Sequence, residues 1–323
     1  MTFYSQISAN KRQSVILAVI VGLLLGVLGF VIGYALTGSV NGGFGATLIA
    51  VAIAGLMSVG SFLAGDKLVL ATSQAKEVDA TSAPQLMNVV QELTIAAGIP
   101  MPKVYVIDDT APNAFATGRD PEHASIAVTT GLLQKMDREE LQGVLGHELS
   151  HIRNYDIRFT LLVGVLVGGV ALLSSFFLRY TFWFGGGRRR DSDSGGSGAL
   201  QLVAFVIAIV LAVVAPIAAR AVQLAVSRQR EYLADASSVE LTRNPHGLER
   251  ALAVIASDKE VLEVASAATQ HLYFTNPIKK FEQRSSAMFA THPAIVDRII
   301  RLSQLTGAPP LDQADVKALT GLD

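Results

Sequence analysis

The stretch His147-Glu148-Leu149-Ser150-His151 is the part of this chain best suited to chemistry. On a helix, positions i and i+4 share a face, so both imidazoles can reach one cation. Glu148 stands one residue after His147. Its carboxylate can reach a water on that cation without becoming a ligand. This H-E-x-x-H arrangement is that of zinc peptidases, in which the glutamate is the general base. The sequence has no cysteine, so any metal must be held by histidines and carboxylates. A catalytic zinc needs a third protein ligand and one open position. The best candidate is Glu231, in Arg228-Gln229-Arg230-Glu231-Tyr232-Leu233-Ala234-Asp235. Asp235, one helical turn later, could orient a ligand imidazole through its other nitrogen. On spacing alone, Glu231 is equally a solvated helix charge paired with Arg228.

These residues need elements to carry them. A helix is expected after Met136, with Asp137 as N-cap and Glu140 three residues on as a capping box. Leu141, Val144, Leu145, Leu149 and Ile152 give it an apolar stripe, and Gly146 lets backbone or substrate come close. Ala83–Ala97 has helical periodicity, stopped by Gly98–Pro102. Val104–Ile107, Asn113–Gly118 and Ser125–Thr129 read as three short strands, with a turn at Asp120–Pro121 between the last two. Val222–Leu241 and Gly247–Ala256 read as further helices. The tail from Gly307 is weakly patterned.

Composition sets the surroundings. Half of the 323 residues are hydrophobic and 16% are charged, against roughly 25% charged in a typical soluble protein. Mean hydropathy is +0.42, which excludes disorder as the overall state. A net charge of -1 leaves no basic excess for nucleic-acid binding. The apolar residues gather in four runs. Val15–Leu36 and Phe44–Gly65 carry no charge, and each is about the 20 residues a membrane helix needs. They form a hairpin, and Lys11, Arg12 and Lys67 put both its ends in the cytoplasm. Phe159–Phe184 and Ala199–Ala219 follow, separated by the polar loop GGGRRRDSDSGGSG. Arg188, Arg189 and Arg190 would oppose the positive-inside tendency if this second hairpin crossed fully, so a shallow or re-entrant hairpin stays open. Gly22, Gly26, Gly29 and Gly33 make a small-residue stripe that suits packing on the second run or a homo-oligomer contact. The expected division is an N-terminal membrane hairpin (1–65), a first half-domain (66–158), the second hairpin (159–225) and a second half-domain (226–323).

Four motifs in order resemble the membrane metallopeptidase family that contains HtpX and the CAAX prenyl endopeptidases. They are Asn113-Ala114-Phe115-Ala116-Thr117-Gly118, Gly146–His151, Arg230–Asp235, and Thr291-His292-Pro293 followed by Arg298. Two spans before the domain and two between its halves resemble the HtpX branch, and the likeness covers nearly the whole chain. The resemblance implies a mainly α fold with a small β-sheet. It implies four hydrophobic membrane helices and a gluzincin-type zinc peptidase domain built from two sequence segments. It implies one Zn2+ per chain on His147, His151 and Glu231, with Glu148 as base. It further implies that His292 stabilises the oxyanion with Arg298 in support, and that Asn113, Ala114 and Phe115 hold the substrate backbone. Phe115 is also an ordinary core residue in type, and His292 an ordinary histidine before a helix. His123, His246 and His271 read as surface or loop histidines.

The expected activity is peptide-bond hydrolysis at the cytoplasmic face of a bacterial inner membrane. Its expected substrates are proteins or peptides, above all misfolded or damaged membrane proteins. The expected partners are these substrates and the bilayer, with a homo-oligomer possible and no nucleic acid. The rivals are a CAAX-type prenyl-protein peptidase, a non-catalytic metal-binding membrane protein, and a metal transporter. The last would place the ionisable residues inside the apolar runs, and here they lie outside them.

Overall fold

The computed structural model describes residues 3–161, 175, 197–258, 260, 262, 273–274 and 293–304. They fall into two compact units.

One unit comprises Arg12–Phe62 and Leu162–Gln223. Its first two helices belong to α1 (Phe3–Thr37) and α2 (Val40–Thr72), joined by a tight turn with Gly38 in the left-handed region. The glycine stripe packs inside this hairpin. A Cβ on Gly29 would stand 2.8 Å from the Ala50 Cβ, and one on Gly33 would stand 2.4 Å from the Ala46 Cβ. Thr47 Oγ1 donates to the Gly26 carbonyl across the same seam at 3.2 Å. The small residues therefore allow two helix backbones to touch, the first of the two readings above. Val40–Gly60 is long and apolar enough to cross a membrane, with mean hydropathy 1.9, and Gly22–Tyr34 is a shorter apolar stretch. Among the described residues, one helix thus meets the full criterion where four were expected. The third run lies almost wholly outside the described residues, as does the glycine- and arginine-rich loop. The fourth run is the first half of α6 (Ser197–Thr242), a continuous helix that accommodates Pro216.

The other unit comprises Met1–Lys11, Leu63–Leu161 and Leu224–Asp323. A four-stranded sheet runs in the order β1 (Lys76–Glu77), β2 (Lys103–Ile107), β4 (Ala124–Thr129), β3 (Ala114–Gly118). β2 and β4 are parallel, and the other pairs are antiparallel. The expected turn at Asp120–Pro121 is a single 3-10 turn, capped by Asp120. Thr129 closes β4. Its hydroxyl accepts from the Asn113 and Leu132 N–H groups and so starts the short helix α4 (Thr130–Lys135).

Among the described residues, this unit also holds α3 (Pro84–Ala97), α5 (Arg138–Arg153), the part of α6 from Leu224 on, α7 (Pro245–Ser257) and α8 (Ile295–Ser303). α3 ends on Gly98 in the left-handed conformation that spares a Cβ clash. α5 begins with the expected reciprocal capping box of Asp137 and Glu140. Val89, Val90, Leu132, Val144, Leu145, Leu149, Leu248 and Leu252 are fully buried in one core. Each contributes about 1.5–3 kcal/mol of burial. The apolar stripe expected on α5 is the wall of this core. The opposite face of the same helix is therefore held rigidly.

Candidate metal centre

α5 brings His147 and His151 onto one face one turn apart, with their Nε2 atoms 3.1 Å from each other. α6 crosses that face and delivers Glu231. Its Oε2 lies 3.5 Å from His147 Nε2, and its Oε1 lies 3.5 Å from His151 Nε2. The crossing is close because Gly146 faces α6. A Cβ there would stand 2.9 Å from Ser238 Oγ, and that hydroxyl donates to the Gly143 carbonyl at 2.7 Å. The small residue serves helix packing.

The three donor atoms lie within 4.8 Å of one another. Ligands about 2.1 Å from a tetrahedral zinc would stand about 3.4 Å apart, so the spacing fits a single ion. The donor set also fits, because two imidazoles and a carboxylate with a fourth position open are what a hydrolytic zinc uses. Of the two readings of Glu231, the geometry favours the ligand over a solvated charge.

Around the donors stand carboxylates and guanidinium groups. Asp235 Oδ1 accepts from His147 Nδ1 at 2.9 Å. Nδ1 then carries the hydrogen and Nε2 is left for a metal. Burial would raise the Asp235 carboxyl, but Arg298 and His147 outweigh it and hold it below the ordinary carboxylate range. Asp156 Oδ2 stands 3.0 Å from His151 Nδ1. Burial disfavours a charged His151, yet Asp156, Glu231 and Glu148 together push it up to about 9. A cation entering the site must displace that proton.

Glu148, next to His147 on α5, is buried. Burial raises its carboxyl above the usual range, against the attraction of both imidazoles. The Ala116 N–H donates to it. Edge strand β3 is thereby tied to the prospective base.

Four of the residues expected to hold substrate or oxyanion, Asn113, Ala114, Phe115 and Arg298, are buried. The Phe115 side chain is fully buried against Tyr273, ring centroids 5.1 Å apart, and packs with Leu70, Ile107 and Ala127. Its side chain belongs to the core, because every residue of β3 is buried, with Phe115 on one apolar face and Ala114 and Ala116 on the other. The Ala114 side chain is also core, and its carbonyl already accepts from the Phe274 N–H at 2.7 Å. Asn113 is buried, and its Oδ1 accepts from the Ala114 N–H at 3.0 Å. Arg298 is expected at the oxyanion. Its guanidinium forks onto Asp235, Nη2 to Oδ1 at 2.6 Å and Nε to Oδ2 at 2.9 Å. Its Nη2 lies 3.3 Å from His147 Nδ1, and its Nη1 lies 3.8 Å from Glu231 Oε2. His292 lies outside the described residues.

Sequence reasoning missed Asp156, Arg230 and Phe274. Phe274 stacks edge-on to His147 at 4.8 Å, under the Arg298 guanidinium at 4.6 Å. Arg230 had a signal, since it stands beside Glu231 in the R-E-x-x-A-D stretch. Asp156 and Phe274 had none in the spacing.

Residues 80–306 match the model of peptidase family M48. A protease HtpX homolog of Streptococcus equi subsp. equi is 45% identical over 304 residues, covering 94% of this chain and 99% of the relative. One of Listeria monocytogenes is 42% identical over 306 residues, covering 94% and 99%. One of Caldanaerobacter subterraneus is 47% identical over 242 residues, covering 75% and 78%. Among solved structures, that of Ste24p from S. mikatae is a distant likeness, with 17% identity and a TM-score of 0.46 over 93% of this chain and 67% of that one.

Proposed function

This chain belongs to peptidase family M48 as an HtpX-like metallopeptidase, and from that premise we propose that it is a zinc endopeptidase working at the cytoplasmic surface of a membrane. The observation that carries the proposal is the convergence of His147, His151 and Glu231 within 4.8 Å, with buried Glu148 on the same helix. Zinc held by these three would polarise the scissile carbonyl and bring its water to a pKa of about 7.

The chain's own residues do the rest. Glu148 takes the proton of the attacking water and hands it to the leaving amine. Its raised affinity for a proton suits that exchange, since a base works best near the operating pH. The Ala116 N–H keeps the carboxylate aimed. Asp235 holds the His147 ring with Nε2 inward, and Arg298 holds Asp235. His292 is assigned to the oxyanion by its motif. The backbone of β3 beyond the Ala116 N–H, rather than the side chains of Ala114 or Phe115, is the part suited to align an extended substrate.

Continuity of elements supports the membrane placement. α6 carries the apolar run Ala199–Ala219 and Glu231 in one uninterrupted helix. α2 runs from the apolar segment Val40–Gly60 to Thr72, four residues before β1. A site so tethered suits polypeptide that emerges at the headgroups. We assign it the loops of misfolded or damaged membrane proteins in a bacterial inner membrane.

The test is Glu148→Gln in the full chain, purified in detergent and given casein and a membrane-protein substrate. Zinc content should match the parent, and cleavage should fall by about 10²–10⁴-fold. A variant that cleaves at the parental rate would remove Glu148 from the chemistry.

A further inference from the structure

Each ligand imidazole is the first link of a chain running outward from the metal site. The inner one is His147, Asp235, Arg298 and Phe274. The outer one has the same order of chemical types: His151, Asp156, Arg230 and Phe159. Asp156 Oδ2 meets His151 Nδ1 at 3.0 Å. Asp156 Oδ1 lies 3.6 Å from Arg230 Nε. The Arg230 guanidinium lies over the Phe159 ring, 3.6 Å from its centroid. Asp156 and Phe159 are buried, and Arg230 is nearly so. Resting on the metal-centre reading above, we propose that Asp156 and Arg230 are positioning residues that lock His151 for the metal, as one coupled pair.

The need is greater at His151 than at His147. The His147 side chain is 1% exposed and walled by Phe274, whereas that of His151 is 15% exposed. Packing therefore constrains the second ring less. Rotation about χ2 of a histidine is soft and roughly two-fold. A ring turned over would offer the metal a C–H in place of Nε2. A carboxylate on Nδ1 stops this and selects the tautomer.

The backbone is bent to supply that carboxylate. α5 ends at Arg153, and Tyr155 takes φ 61°, a left-handed conformation that a tyrosine rarely adopts. The chain turns there, and Asp156 comes back to a ring it has just passed. The same carboxylate presents its other oxygen to the Arg230 guanidinium, a charge-assisted contact that fixes its orientation. Arg230 directly precedes Glu231. The pair therefore also ties the end of α5 to the helix that carries the third ligand.

The experiment uses the full-length chain in detergent and measures zinc affinity by competition with a chromophoric chelator. Asp156→Asn keeps the shape and removes the charge. It should weaken zinc binding by about tenfold or more, within the 10–100-fold range of such contacts. Arg230→Gln should weaken it by about threefold or more. The double variant should bind no more weakly than Asp156→Asn, because the two act through one contact. Single variants within about twofold of the parent would overturn the proposal, and so would losses that multiply in the double variant. A lower melting temperature of the metal-free chain with zinc affinity unchanged would do the same, since that is what a merely structural ion pair gives. Glu231→Ala sets the floor. A parent that binds no better than Glu231→Ala would sink the metal centre itself, whereas a strong parent with unaffected variants sinks only this inference.

Discussion

Gly143 offers a test of how the scaffold positions the metal site. It lies one turn before His147 on α5, against the start of α7. A Cβ added there would stand 2.5 Å from Leu248 N, 2.7 Å from Leu248 Cα and 2.9 Å from the Gly247 carbonyl carbon. All three are backbone atoms, so no side chain can swing aside. To restore ordinary contact the two helices must part by roughly 0.9 Å. Overpacking of this kind costs about 1–3 kcal/mol, at the upper end here because the Gly143 carbonyl is also held by Ser238. The better helix propensity of alanine returns about 1 kcal/mol. Gly143→Ala should therefore lose about 2 kcal/mol. At about 2–4 °C per kcal/mol for a domain of this size, its melting temperature should fall by about 4–8 °C. Activity should suffer more than stability. Catalytic groups must hold position within about 0.5 Å, and a 1 Å misplacement can cost about 100-fold. The assay is thermal melting and casein cleavage of the detergent-purified chain. Gly55→Ala, where a Cβ meets nothing within 4 Å, is the control and should melt at or slightly above the parent. A Gly143→Ala variant that melts with the parent would refute the close approach of the backbones. A destabilised but fully active variant would refute the transmission to His147.

Three further changes probe other parts of the argument. Asp137→Ala removes the cap of the ligand-bearing helix and should lower stability by about 1 kcal/mol, read as a melting temperature about 2–4 °C lower. Arg298→Lys keeps a charge but cannot fork across both Asp235 oxygens. Its zinc affinity should fall about tenfold or more by chelator competition, and parental affinity would show that Asp235 needs no fork. Arg243→Gly places glycine where the exposed residue after α6 has φ 54°. Relief of that conformation should raise stability by about 0.5–1 kcal/mol in the same melting assay.

Much of this was legible in the order of residues. The ligand-bearing helix, its capping box and the i, i+4 histidines follow rules that act within one or two turns. The strands near Val104, Asn113 and Ser125 announce themselves by alternation and by the turn at Asp120. The third ligand stands out because the family motif around it is specific. The Phe115 ring takes the core place that its type also allowed, because both faces of β3 are covered, and one sequence does not reveal that an edge strand is buried on both sides. The helix α4 and the two-residue β1 are too short to leave a pattern.

The chemistry of the centre is thus written in local spacing, since hydrogen bonds and helical geometry couple neighbours along the chain. The scaffolding around it comes from distant segments. Asp235 and Arg298 lie 63 residues apart and meet in a buried fork. Asp156 faces Arg230 across two halves of the sequence, and Phe274 reaches both His147 and Arg298. Asp235 and Arg230 are marked by their place around Glu231, but nothing in the spacing of Asp156, Arg298 or Phe274 says what each one meets, because what joins them is burial. Once the core of α3, α5, α7 and α8 closes, a charge left there without a partner would be costly, and the packed fold determines which partner stands within reach.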